Sequence, residues 1–453
     1  MAIPDTLQLS SKFRGEILRR GDAGYDEARK IWNASIDRHP AIIARCQGTA
    51  DVVAAVDFAR EADLLTAVRG GGHNVGGRAI CDDGIVIDLS RMRAVSVDPA
   101  DRTVRLQGGA RLGDLDRETH AFGLAVPSGV VPKTGMAGLT LGGGVGWLIR
   151  KYGMSIDNLL SCEVVTADGR ITTASASENP DLFWALRGGG GNFGVVTSFT
   201  FRAHPVHTVI GGLLLYPREV AFDVIRNFRD CIEAAPEELT AYAALLHAPD
   251  GMPVVGIAAC YCGDDTQADT VLKPFRKFGS PMLDAIQAVP FPVMQSLFEP
   301  AFPDGNYNYW KSSLQPKLSD NAIAVVVEHG NAMTSPLSIV VIEYYAGAAS
   351  RVAKDETACP HRDLPWNIIM AAQWTDPSES ASHRDWARGT ENALRPFSAG
   401  AHFLAALDTD DAAATAFGTN LARLSAVKRK YDPRNFFRVN QNIAPSVMES
   451  VSA

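Results

Sequence analysis

Glycine constrains this chain more than any other residue, because it gathers where a backbone has to pass close to something. Residues 64 to 77 read Leu-Leu-Thr-Ala-Val-Arg-Gly-Gly-Gly-His-Asn-Val-Gly-Gly. An apolar strand, Leu64 to Val68, runs into five glycines that flank one histidine, His73. Glycine adopts φ > 0 without penalty and admits bulky groups at short range. Successive N–H groups in such a turn form an anion-binding nest. With Arg69 at its entrance, the loop predicts a cradle for a pyrophosphate with a nucleophilic imidazole at its rim. Taken alone, the stretch is equally a plain turn with a histidine satisfied by backbone. Neither a G-x-G-x-x-G opening a helix nor a loop ending in Gly-Lys-Ser/Thr is present.

Two further glycine-dense stretches follow. Pro127 to Gly146 contains seven glycines and almost no charge. A solvated linker would be polar, so this apolar stretch is expected to lie against something flat. Gly188 to Gly191 leads through Asn192-Phe-Gly-Val-Val into a strand ending near Phe201. Around these stretches the spacing predicts a strand at Ala41 to Ala44 and a helix from Thr49, as its cap, to about Ala62. It also predicts a hairpin across Asp98-Pro99-Ala100-Asp101, a helix from Leu112 to Phe122, and a second hairpin turning at Asp168-Gly169. Pro180 opens a helix running to Leu186.

From about 207 to 410 the glycine clusters stop. Strand-like segments Val209 to Leu215, Val254 to Cys260, Ile323 to Val327 and Ile339 to Tyr344 alternate with amphipathic helices such as 265 to 279. This reads as an antiparallel sheet with helices on one face. A last helix, 411 to 430, precedes the tail Tyr431 to Ile443, which is too apolar and amide-rich for a free end.

Composition bounds the function. The chain has 453 residues, a net charge of −8 and no Lys/Arg block, which argues against nucleic acid as a partner. Its length predicts more than one domain. No run of 18 apolar residues exists for a membrane span, and no secretory leader is visible at Met1 to Ser10. The seven cysteines are odd in number and scattered, which fits a reducing cytoplasm and no metal site at Cys260-Tyr261-Cys262.

The combination of Arg69-Gly-Gly-Gly-His-Asn, Gly135 to Gly146, Gly188 to Val196 and the Asn-rich tail resembles the berberine-bridge-enzyme-like branch of the vanillyl-alcohol-oxidase superfamily, over about Pro40 to Pro445. The resemblance implies an α+β fold with a two-subdomain FAD-binding domain at 1–206, completed by 415–453. It implies a substrate domain at 207–414, an antiparallel sheet backed by helices. It implies FAD bound covalently through His73. Arg69 and the N–H groups of Gly70, Gly71, Gly72 and Asn74 would hold the pyrophosphate. Gly135, Gly138, Gly142, Gly143 and Gly146 would line the cofactor, Gly194 and Val195 its adenine end, and Asn440 and Asn442 the ring end, with Tyr152 approaching the ring. Many relatives add a cysteinyl link. Val131 stands at that position here, so a single histidyl link is expected. Thr134 stands at the family's oxygen gate and, close to valine in size, points to O₂ as acceptor.

The implied activity is oxidation of a small alcohol or amine, with a small-molecule substrate and O₂ as the partners of a monomer or homodimer. The family's usual base pair falls on Asn367 and Ile369, neither of them a base. His402 and Tyr309 are the candidates for catalysis, against a structural histidine and an aromatic packing strip. Glu343 and Tyr345 share a strand whose facing the sequence leaves open. Val289, Phe291, Phe298, Phe302, Tyr307 and Trp310 suggest an apolar or aromatic substrate over a sugar. An oxidative cyclase, an oxygen-transferring enzyme and a non-catalytic flavin-binding relative stay open as alternatives. A nicotinamide-dependent Rossmann enzyme is disfavoured.

Overall fold

A computed structural model describes residues 7–404 and 413–446. Its first sheet runs Glu16–Arg19, Ile42–Arg45, Ile85–Asp88, Thr66–Arg69, the last three strands parallel. Parallel strands covered on both faces read as continuous apolar runs, and Ile42, Ile43, Ala44, Ile85 and Ile87 are fully buried. The helix Thr49–Glu61 lays Val52, Ala55, Val56 and Ala59 against this sheet. Its cap is Gly48, and the Thr49 hydroxyl instead donates to Glu163 Oε1 at 2.8 Å.

The second sheet is antiparallel, in the order Val95–Asp98, Thr103–Gln107, Val195–Arg202, Leu159–Val165, Ile171–Ser175. Both anticipated hairpins are present in it.

The largest sheet has eight antiparallel strands drawn from residues 208–374. Helices Ala221–Ala234, Asp265–Arg276, Asp320–Asn331 and Ser380–Leu394 bury Phe228, Leu272, Val326 and Trp386 against one face, on Ala243, Ile257, Ile342 and Met370. The expected strand Ile323 to Val327 is part of helix Asp320–Asn331. Its β-branched run suggested a strand, but Ser319 caps a helix by accepting from the Ala322 N–H at 3.2 Å. The buried residues Ala322, Ile323, Val326 and Gly330 then recur at helical spacing.

The C-terminal tail docks as expected. Helix Leu421–Tyr431 carries Lys428, which is fully buried. Its Nζ meets Asp432 Oδ2 at 2.7 Å, the Asn192 carbonyl at 2.7 Å and the Phe437 carbonyl at 2.8 Å. Asp432 also accepts from the Phe436 and Phe437 N–H groups, and the Asn192 amide grips Gln441 and Ile443. One buried ion pair therefore ties the third glycine stretch to the tail. Removing one partner of such a pair strands a charge in the core and costs about 3–5 kcal/mol. Asp432→Ala is expected to lose that much in denaturant unfolding, and a loss below about 1 kcal/mol would show the knot to be idle.

Candidate functional site

A cavity of about 990 Å³ lies between the glycine-rich loops and the face of the eight-stranded sheet opposite its four long helices. The loop wall is made by close backbone contact. A Cβ on Gly71 would sit 2.3 Å from the Gly135 nitrogen, and one on Gly135 would sit 2.3 Å from the Gly71 nitrogen. Only glycine at both places lets the two stretches touch. Gly138 is different, because a Cβ there would meet nothing within 4 Å. It lies in the short helix Met136–Leu141 and faces the cavity, so its missing side chain leaves room for a bound group.

His73 lines this wall. Its ring stacks on Trp32 with centroids 4.2 Å apart and planes 13° off parallel. Burial pushes the imidazole down to about 4, so it is neutral at neutral pH. Its Nε2 is buried without a hydrogen-bond partner, which is unusual for a buried polar atom. A neutral imidazole with an unspent nitrogen is a competent nucleophile.

The opposite wall is the sheet face. Leu213, Ala258, Tyr242, Glu343, Asn367 and Leu314 stand in one row across six strands. Tyr242 and Glu343 line the cavity, and the Asn367 amide donates to Glu343 Oε2 at 2.8 Å and to the Tyr345 hydroxyl at 2.9 Å. Tyr345 itself donates to Glu343. Burial raises the Glu343 carboxyl above its usual range, against the pull of these two donors. The Tyr242 hydroxyl and Asn367 Oδ1 are buried and unpaired. Two residues along each strand the wall turns apolar, with Ala244, Val341 and Ile369, then Leu246, Ile339 and Ala371. Phe298, Phe302 and Trp310 close one side.

Of the residues singled out from sequence, Gly70, Gly71, Gly72, His73, Asn74, Val131, Thr134, Gly135, Gly138, Gly142, Gly194 and Asn440 line this cavity together. Others do not. The Arg69 guanidinium is paired with Asp88, its neighbour on the adjacent strand, and bonded to the Ala28 carbonyl, so it braces the loop from behind. Gly143, Gly146, Val195 and Asn442 give way to Gly144, Val145, Val196 and Gln441. Val195 is buried in the core on the far side of its strand, Gly146 abuts the Ser128 carbonyl, and Asn442 is exposed. Tyr152 stacks on His204 at 3.9 Å, away from the cavity.

Both catalytic candidates also fall outside the cavity wall. Tyr309 points to the helix side, where its hydroxyl accepts from Arg388 Nε at 2.9 Å. Alternation puts Trp310 on the cavity side instead. His402 sits in a crevice of about 20 Å³. There its Nε2 meets Glu391 Oε1 at 2.8 Å and its Nδ1 meets Thr415 Oγ1 at 3.0 Å. Phe403 and Leu404 face the main cavity. Val289, Phe291 and Tyr307 of the aromatic strip are likewise directed elsewhere. The sequence reading left out Trp32 and Tyr242 and left Glu343 without a facing. No motif marks Trp32, while the strand facing needed one fixed reference on the sheet.

The comparisons with known proteins agree with this geometry. The FAD binding domain family matches residues 40–175, and the berberine and berberine-like family matches 397–444. An FAD-linked oxidoreductase of Dictyostelium discoideum is 32% identical over 443 residues, which cover 97% of this chain and 96% of that protein. The chain belongs to the berberine-bridge-enzyme-like family of FAD-linked oxidoreductases. The crystal structure of 6-hydroxy-D-nicotine oxidase from Arthrobacter nicotinovorans superposes with a TM-score of 0.88 at 30% identity, covering 96% of this chain and 98% of that one. Glucooligosaccharide oxidase from Acremonium strictum, described with a 6-S-cysteinyl, 8α-N1-histidyl FAD, superposes at 0.87 with 26% identity, covering 97% and 99%. As in those neighbours, the fold is of the vanillyl-alcohol-oxidase type. Among the described residues no helix is long and apolar enough to cross a membrane.

The enzyme binds FAD, and the open side of Gly138 and the unpaired imidazole of His73 fit that group. Gly138→Leu would place a side chain in the space left there, in a helix that tolerates leucine better than glycine. It is expected to leave the apoprotein at least as stable and to weaken FAD uptake at least about tenfold, about 1.4 kcal/mol. Fluorescence titration of apoprotein with FAD measures this, and unchanged affinity would remove Gly138 from the cofactor wall.

Proposed function

We propose that this enzyme is an oxidase of hydrophobic alcohols or amines, with FAD attached to His73 alone, Glu343 as general base and O₂ as electron acceptor. In this reading residues 1–206 with 415–453 hold the flavin, and 207–414 receive the substrate. The observation that carries it is the buried Glu343, hydrogen-bonded by Tyr345 and Asn367 beside aliphatic rows of the sheet face, across the cavity from the glycine loops.

FAD held by the glycine loops and His73 would supply the hydride acceptor for a substrate C–H bond, with the electron pair and two protons leaving on O₂ as H₂O₂. The chain's own groups do the rest. Glu343, ionised, accepts the proton from the substrate O–H or N–H. Its raised affinity for protons brings it nearer the operating pH, where a base works best. The unpaired Tyr242 hydroxyl, which lines the cavity, offers a donor to the same polar head. The aliphatic rows beyond, with Phe298, Phe302 and Trp310, take an apolar body and exclude water. A sugar needs polar partners around its whole ring, and on these rows aliphatic side chains predominate.

For the linkage, none of the free cysteines lines the cavity, and Val131 does. That supports one attachment where glucooligosaccharide oxidase is described with two. Thr134 lines the cavity too, in keeping with a gate that admits O₂.

Peroxide release from the purified holoenzyme with a panel of aromatic and aliphatic alcohols, amines and oligosaccharides tests the substrate class. Faster turnover of oligosaccharides would reject it. Glu343→Gln is expected to lower kcat by about 10²- to 10⁴-fold. In wild type, kcat/KM should rise with pH through a group titrating above the ordinary carboxyl range, because only the ionised base accepts a proton. Glu343→Gln should flatten that limb. An unchanged profile in the variant would give the base role to another group.

A further inference from the structure

Trp32 lies outside every glycine stretch, yet its ring stacks on that of His73. It is 4% exposed, and its indole covers one face of the imidazole at 4.2 Å. Trp310 meets Trp32 edge-on at 5.7 Å and 82°. Both walls of the cavity hold Trp32 in place. Its N–H donates to the Gly72 carbonyl at 3.2 Å on the loop side. On the sheet side its indole Nε1 donates to the Phe302 carbonyl at 3.1 Å, and its carbonyl accepts from the Gly305 N–H at 3.3 Å. Asn33 repeats the stitch, donating to the Val75 and Asn308 carbonyls and accepting from the Asn308 N–H at 2.9 Å.

The His73 ring has no hydrogen bond at Nε2 to set its plane. The stacked indole constrains it by covering one face, and the ring lines the cavity. An imidazole about to form a bond gains rate from being held in one orientation, because the entropy of alignment is met before the reaction.

We propose that Trp32 is a positioning residue for flavin attachment, holding the His73 ring in the orientation from which a ring nitrogen bonds to the 8α-methyl carbon of FAD. The inference rests on the histidyl linkage proposed above. Attachment forms one N–C bond, breaks the imidazole N–H and one methyl C–H, and sends both hydrogens with their electrons to O₂ as H₂O₂. Trp32 touches none of the bonds that change.

The test adds FAD in air to apoprotein of wild type, Trp32→Phe and Trp32→Leu. Its readout is the covalent fraction of bound flavin over time, from yellow colour retained after acid precipitation and fluorescence in denaturing gels. A fraction of bound flavin is unaffected by how much of each variant folds. Trp32→Phe keeps an aromatic face and is expected to attach FAD within about threefold of the wild-type rate. Trp32→Leu keeps an apolar filling without the ring and is expected to bind FAD but attach it roughly tenfold more slowly. Attachment by Trp32→Leu at the wild-type rate overturns the positioning role while the linkage stands. So does a variant that binds FAD weakly but attaches whatever it binds at full rate. A wild type that never retains flavin overturns the linkage, and the role of Trp32 falls with it.

Discussion

The site depends on the backbone contact between Gly71 and Gly135. Two stretches 64 residues apart in the chain meet at a distance that no Cβ allows. This contact sets the loop wall, and it brings His73, Gly138 and Thr134 to one surface. The parallel strands beneath the first loop hold it from below, with Arg69 and Asp88 paired across adjacent strands. The third glycine stretch joins through the buried Lys428, which also fastens the tail. Charge is thus used behind the wall, while the wall itself is backbone.

The eight-stranded sheet works by division of its two faces. One face is filled by helices and contains Tyr309, Trp366 and Trp374. The other carries the short helix Phe291–Gln295 at one end and, along the cavity, Tyr242 and Glu343 followed by aliphatic rows. A buried carboxyl is costly unless hydrogen-bonded, and Glu343 has donors from Tyr345 and Asn367. That cost is reasonable at a site proposed to take up a proton and unreasonable in a passive core. Trp32 and Asn33 then stitch the two walls together, so the spacing between imidazole and carboxyl is a property of the fold rather than of a loose loop.

The glycine stretches were legible in the sequence because close approach and positive φ leave a mark in composition. The flavin family and the cavity-lining glycines from Gly70 to Gly142 follow from that mark, while the hairpins and the docking tail were legible from turn residues and from an apolar, amide-rich end. What the sequence did not give was phase. Tyr309 was expected where Trp310 lies, Val195 where Val196 lies, His402 where Phe403 lies and Asn442 where Gln441 lies. Each is displaced by one residue, and in an extended chain one residue reverses the face. Periodicity reveals that a segment alternates; only contact with a second element says which face is in. The same limit kept the facing of Glu343 open. Ile323 to Val327 failed differently, because a capping serine outweighed β-branched propensity.

One imidazole, neutral and unpaired at the glycine wall, is the proposed point of flavin attachment. Proteolysis of the purified enzyme followed by peptide mapping by mass spectrometry addresses it directly. The account predicts the flavin on the peptide containing His73 and on no cysteine-containing peptide. Flavin released entirely as free FAD, or found on any other residue, would contradict it.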